Sequence, residues 1–480
     1  MPLPVFITDG EDALDIVGGA LPVYLGNITL TAGGEIPVSA NLEGTTVNAT
    51  FPETVNSAIT NNITVNDVIE TVNCHILEND ADAFSKVDSG LFDAFGRQRV
   101  STPVTLFQSM LTADNGSVYW NELETGTANG TTSTWTQNTA SVALTVNASV
   151  NTTRVRQTYE RFAYQPGKSQ QIMMTCVPGS AINGVTKEAG YGDEFDGLFC
   201  QMINTGVGFC RRTTTNGTTV DNFVAQADWN IDTLNGAGPS GYTLETTKTQ
   251  ILFMDFEWLG VGRARMGFVI DGKIIYCHAF NNTNNLSTVY MRTPVLPLRY
   301  KISGNGTQAQ ASTLTCICAS VATEGGEQLV GRERSATSGA VDIAPPNTTN
   351  WTIIKALRLG AAGKSTTIGT WEVDVLNSDT NAVAEYAVII DPTVAGGTLT
   401  WAAVTGSQME HATGNAALYA SAGTVLHGGF VAGRAMESTL AGSRTSFGFS
   451  INGTSRVLAL CARQVIGSPN MHGVFNWTEA

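Results

Sequence analysis

Gln250-Ile-Leu-Phe-Met-Asp-Phe-Glu-Trp258, Arg263-Ala-Arg-Met-Gly-Phe-Val-Ile270 and Lys273-Ile-Ile-Tyr-Cys-His-Ala-Phe280 are three apolar runs in close succession, and only Asp271-Gly272 separates the second from the third. An Asp-Gly pair between two such runs is the signature of a type I′ hairpin, because glycine takes positive φ without steric cost. The runs therefore read as neighbouring antiparallel strands. Similar runs flank them at residues 154–162, 169–177, 298–302 and 314–321. Ten or more antiparallel strands in residues 101–325 predict a β-sandwich or jelly roll, which is lectin-like if the carboxylates of the first run are meaningful.

A second series of strands is expected over residues 348–480: 351–359, 366–376, 384–390, 398–404, 425–431, 446–451 and 456–463, the last following the turn Asn452-Gly453. Between the two series, residues 326–347 have few apolar anchors and contain Ala344-Pro-Pro-Asn347, so they read as a linker. No long helical period competes with these strands. The predicted fold class is all-β: an extended N-terminal arm followed by two antiparallel β-sandwich or jelly-roll-like domains.

Composition agrees. Charged residues make up 14% of the 480-residue chain and glycine occurs 50 times. Sparse charge and abundant turn formers favour short strands over exposed helices. The net charge of −15 is uneven: residues 1–90 carry thirteen acidic side chains and one basic one, Lys86. An acidic segment of this kind excludes nucleic acid as a partner, since binding the phosphate backbone needs a basic face. Within residues 1–85, the alternating pieces Ile36-Pro-Val38, Val47-Asn-Ala-Thr-Phe51 and Ile63-Thr-Val65 are too short to bury a core alone. They read as an arm completed by sister copies or by another protein. Residues 86–100, with Leu91, Phe92 and Phe95 beside Arg97 and Arg99, read as a hinge.

No run of about 20 apolar residues is present, so no membrane partner is expected. The start Met-Pro-Leu-Pro-Val lacks the basic, then apolar, pattern of a signal peptide. Synthesis in a host cytoplasm is the expectation. The eight cysteines are irregularly spaced and read as buried free thiols. No histidine pair or second cysteine pair completes a metal site, and no cofactor is expected. Gly360-Ala-Ala-Gly-Lys364-Ser365 lacks the first glycine of a phosphate loop, that position being Arg358.

The strand quoted first also carries carboxylates at period two. Phe253-Met-Asp255-Phe-Glu257 resembles the catalytic strand of the concanavalin-like β-glucanases, in which Glu-x-Asp-x-Glu sets three carboxylates on one face. Asp255 and Glu257 match the second and third positions, and Phe253 stands at the nucleophile position. The resemblance implies a lectin-like sandwich without its nucleophile. The other reading of the same residues makes Asp255 and Glu257 ion partners of Arg263 or Arg265 on the next strand. Neither reading yields an enzyme.

A broader resemblance runs through residues 85–330. Leu91-Phe-Asp-Ala-Phe-Gly-Arg-Gln-Arg-Val-Ser101, Tyr164-Gln-Pro-Gly-Lys-Ser169, Trp258-Leu-Gly-Val-Gly-Arg263 and Phe268-Val-Ile-Asp-Gly-Lys273 are similar to virion structural proteins of tailed phages and other, often marine, viruses. The segments Arg456-Val-Leu-Ala-Leu460 and Val474-Phe-Asn-Trp-Thr-Glu479 resemble the last strands of phage fibre and capsid-decorating proteins. The resemblance implies a fibre, spike or decoration protein of the virion, attached to capsid or tail proteins through its arm. The homotrimer is likewise implied by viral fibres and spikes rather than by the residues. Polar loops 190–194 and 281–288 offer Tyr191, Asp193, Asn281 and Asn285 to a receptor or host surface glycan. A free carbohydrate-binding module and a polysaccharide depolymerase are the alternative functions.

Overall fold

The hairpin that decides the fold forms at Asp271 (φ 49°) and Gly272 (φ 75°), and Ile270 pairs with Lys273 across it. In the computed structural model of the chain, the described residues are 102–325, 331–366, 368–442 and 447–479, with Asp93, Ala94, Arg97 and Arg99. The arm at 1–85 and the hinge residues Leu91, Phe92 and Phe95 lie outside them.

Two sheets make the first sandwich. One runs Lys273–Phe280, Ala264–Ile270, Gln250–Phe256, Gln170–Val177, Ser312–Thr323, Ser141–Val146, Thr131–Thr136, with Val104–Met110 also pairing on Ser312–Thr323. The other runs Val220–Ala225, Gly206–Thr213, Gly197–Ile203, Val185–Gly192, Leu298–Asn305, Asn151–Thr158, Trp120–Gly126. All pairings are antiparallel. Alternate residues of each strand face the partner sheet. Leu252, Met254 and Phe256 thus meet Tyr191, Phe209 and Tyr300 in one core. This is the sandwich expected for residues 101–325.

The second sandwich stacks a four-stranded sheet (Arg332–Thr337, Met471–Glu479, Ile368–Asn377, Met436–Gly442) on a six-stranded one. The latter is built on Trp351–Leu359, Val383–Ala395, Tyr419–Val431 and Val457–Ile466. Trp371, Val375, Leu460, Phe475 and Trp477 fill the space between.

Three expectations need correction. Of residues 398–404 only Ala402–Ala403 is strand, a two-residue edge piece, and the rest is loop. The stretch 326–347 is not all linker: Arg332–Thr337 is an edge strand on Met471–Glu479. An edge strand needs only one buried contact, here Ala336, so its polar sequence hid it. Residues 446–451 are not a strand either. Their described part, residues 447–451, is a loop closed by an isolated Phe449–Ser455 bridge. Of the cysteines, Cys176, Cys200, Cys210, Cys277, Cys316 and Cys461 are buried free thiols and Cys318 is half-buried; Cys74 lies outside the described residues.

That loop joins the sandwiches. Phe449 N–H donates to Tyr159 O (3.0 Å), and Ile451 N–H donates to Asn121 Oδ1 (2.9 Å). Residue 448 must be glycine, because a Cβ there would sit 2.1 Å from Tyr159 O. Arg456 completes the joint: it pairs with Asp391 (2.8 Å), donates to Val118 O (2.8 Å) and lies 4.1 Å over the Tyr159 ring. Hydrogen bonds to a charged group contribute about 1.5–3 kcal/mol each where well shielded. Arg456→Ala is therefore expected to separate one calorimetric unfolding transition into two. A single transition at the parental temperature would show that the joint does not couple the sandwiches.

Candidate functional site

Strand Gln250–Phe256 turns Leu252, Met254 and Phe256 into the core, so Phe253 and Asp255 face outward and Glu257 follows just past the strand end. Register sets Asp255 between Arg265 on one neighbouring strand and Gln171 on the other. Arg265 closes on it bidentately, Nε to Oδ1 at 2.9 Å and Nη2 to Oδ2 at 2.6 Å. The Tyr276 hydroxyl donates to Oδ2 at 2.6 Å. Arg99, arriving from far along the chain, donates to the same oxygen and pairs with Glu324 at 2.5 Å. Glu324 in turn accepts from the Gln171 amide.

Although it lies on the outward face, this cluster is sealed: Asp255 and Arg265 are 0% exposed. The Arg265 guanidinium lies 4.1 Å over the Tyr276 ring, and that of Arg99 5.8 Å over Phe253. Burial would lower the pKa of Arg99, but Tyr276, Asp255 and Glu324 outweigh it and raise it. Burial, reinforced by Asp255, drives the Tyr276 hydroxyl far above its usual range, which keeps it a donor. Breaking one member of such a cluster leaves the others as uncompensated buried charges.

Glu257 is different. Its Oε1 accepts the Arg263 N–H at 3.2 Å, while Oε2 is buried without a hydrogen-bond partner. Gly262 backs it so closely that a Cβ there would stand 2.5 Å from Glu257 Cγ. Burial pushes its carboxyl up to about 7; the Arg263 N–H opposes this and Asp93 adds to it. A group with such a pKa can exchange a proton near neutrality. On this strand the two positions that could supply a second carboxylate at the spacing of glycosidic chemistry are closed, since Asp255 is sealed and residue 253 is phenylalanine.

The other sequence-derived residues scatter. Tyr191 is fully buried in the core and donates to Pro294 O at 2.7 Å, which corrects its reading as a surface ligand group. Residues 190–194 were expected to form a polar loop, yet Val185–Gly192 is a central strand. Asp193 is held by Arg161 at 2.7 Å. Asn281 and Asn285 are exposed on one loop, with Asn285 Nδ2 donating to Asn281 O at 3.0 Å. Thr283 ties that loop to Val261 O at 2.9 Å, near Glu257. Asp255 and Arg265 do pair as neighbouring-strand partners, whereas Glu257 accepts a hydrogen bond from the Arg263 backbone. The contributions of Arg99, Tyr276 and Glu324 were missed. Only the arginines at 97 and 99 gave a signal.

No family model matches the chain, and no curated protein matches it. Solved structures show partial likeness. The Emp47p carbohydrate recognition domain is 9% identical, with TM-score 0.27, over 44% of this chain and 96% of that one. A family 16 endo-glucanase from Bacteroides ovatus is 9% identical, with TM-score 0.31, over 45% and 99%. The Bacillus licheniformis β-glucanase is 10% identical, with TM-score 0.29, over 47% and 100%. Likeness at this level carries no argument about fold, site or activity.

The state of Glu257 predicts a pH effect. Its raised pKa means that the folded state holds the proton more tightly, so its contribution is lost as pH rises from about 4.5 to about 7. Above that window the ionised carboxylate opposes folding. Glu257→Gln is expected to stabilise the protein by about 1–3 kcal/mol at pH 8 and to change nothing at pH 4. Urea unfolding at both values reads the difference, and equal effects at both would contradict the assigned environment.

Proposed function

We propose that this chain is a non-catalytic structural protein of the exterior of a virus particle, a fibre, spike or capsid decoration. Its acidic arm attaches to other virion proteins, and its two joined sandwiches project as one body. The observation that carries the non-catalytic reading is the sealed Asp255 cluster with Phe253 beside it. A strand whose carboxylate spacing resembles a hydrolase's is spent here on holding the chain together. Arg99 lies in the segment 86–100 that the sequence reads as a hinge, and the cluster ties Arg99 to a buried sheet. This suits a protein that bears load at its N-terminal attachment.

The similarity of residues 85–330 to virion structural proteins supports the particle assignment, and the homotrimer follows from the same source. Short-edged β cores resist unfolding and leave surfaces free to vary, which fits contact with a host receptor or glycan. A free carbohydrate-binding module is the second reading. A depolymerase would require an open pair of carboxylates.

Deleting residues 1–85 is expected to leave a folded body that no longer joins the particle. Gradient-purified particles from cells expressing the truncated chain would lack it, while light scattering would show loss of the trimer. Normal incorporation of the truncated chain would contradict the proposal.

A further inference from the structure

The second sandwich leaves one strand edge open. In Tyr419–Val431, Tyr419 and Ala420 pair with the start of Trp351–Leu359. Among the described residues, Thr424–Val431 pairs on one side alone, with Val383–Ala395. Such an edge offers unpaired N–H and C=O groups to another strand, and proteins usually blunt it with charge or proline. Other edges of this chain follow that rule. Trp120–Gly126 carries Glu122 and Glu124, Val220–Ala225 carries Asp221, and Arg332–Thr337 carries Arg332, Glu333 and Arg334. Residues 412–433, by contrast, contain no Asp, Glu, Lys, Arg or Pro. Their large side chains are apolar and open to solvent: Val425 is 55% exposed and Phe430 63%.

Register decides what the edge presents. Tyr386, Val388 and Val431 point into the core between the sheets. Gly429 pairs with Tyr386, and Phe430 with Glu385. Gly428 and Phe430 therefore lie on the outer face. Leu426 is bulged out of the ladder, so the regular stretch of the edge is His427–Val431. Elsewhere in the chain a ring on a neighbouring strand's glycine is a finished unit. Phe199 pairs with Gly190 and lies so close that a Cβ at residue 190 would stand 2.8 Å from its ring. Phe199 is thereby fully buried. Phe223 covers Gly208 in the same way. Phe430 and Gly428 are the two halves of such a unit, both on one strand and both left open.

A neighbouring aromatic residue shields an edge glycine. Antiparallel pairing of two copies about a twofold axis at Gly429 sets each Phe430 opposite Gly428 of the other copy. It also matches all five residues of the stretch face to face. The same patch is used on both copies, so the contact closes and does not propagate. Charge favours this occupant. Two chains of net charge −15 repel where their acidic surfaces meet, and this strip brings no carboxylates together. Five paired residues span about 17 Å. Covering two rings of about 150–250 Å² each falls short of the roughly 1,000 Å² of a permanent interface, so the pairing is weak between dilute copies and accumulates where copies are arrayed side by side.

We propose that this edge is a self-association surface, on which a second copy of this chain lays its own His427–Val431 antiparallel, with Phe430 over Gly428. The contact goes beyond the reading of the protein as a particle component, because it links copies through their bodies. Sedimentation of the full-length protein over a concentration series reads it. The mass is expected to rise with concentration toward about twice its dilute value, whether or not the copies also associate through the arm. Phe430→Lys, at an exposed position, is expected to hold the mass at the dilute value. Phe430→Trp, and Met110→Lys on the first sandwich, are expected to keep the rise, and melting curves check that every variant is folded. Hydrogen exchange at high concentration is expected to slow across residues 424–431 in the parental protein and not in Phe430→Lys. A mass independent of concentration up to about 0.2 mM, a rise that survives Phe430→Lys, or protection confined to another segment would overturn the proposal. Neither readout needs the particle, so failure here is distinct from failure of the particle assignment.

Discussion

The buried ion cluster of Asp255 with Arg265, Arg99 and Tyr276 is the constraint on which the first sandwich depends. Two guanidinium groups and a carboxylate removed from water carry a desolvation cost of several kcal/mol each, which only close, hydrogen-bonded pairing offsets. The geometry satisfies this. Both Asp255 oxygens are engaged, Tyr276 adds a neutral donor, and Glu324 balances the second arginine. The cluster bridges strands Gln250–Phe256, Ala264–Ile270 and Lys273–Phe280 with a segment 156 residues earlier in sequence. A hydrophobic contact would tolerate sliding, but a shared carboxylate fixes one position.

From that fixed sheet the remaining architecture follows by packing. The opposite sheet closes the core through Tyr191, Phe209 and Tyr300. Its outer strands then receive the loop of residues 447–451, where the missing side chain of Gly448 allows backbone to meet backbone. Arg456 locks the contact from the side. The second sandwich is thereby oriented on the first.

What the sequence revealed depended on how local each signal was. The Asp271-Gly272 turn fixed a hairpin because two residues specify it. The pairing of Asp255 with Arg265 was legible because hairpin neighbours are close in sequence. The role of Arg99 was not, since nothing local states which surface an arginine will cross to reach. Tyr191 was misread because residues 190–194 resemble a polar loop; in the sheet residues 190–192 are strand positions, and a Cβ at residue 190 would stand 2.2 Å from Leu198 O. Arg332–Thr337 passed for a linker because an edge strand can be polar on most sides.

If the ion cluster fixes the position of the strand that carries Asp255, then Arg99 and Asp255 must be strongly coupled. A double-mutant cycle with Arg99→Met and Asp255→Asn, read by urea unfolding of the full-length protein, measures that coupling directly. The account predicts a coupling energy of about 2 kcal/mol or more. Additive effects, with coupling near zero, would contradict it.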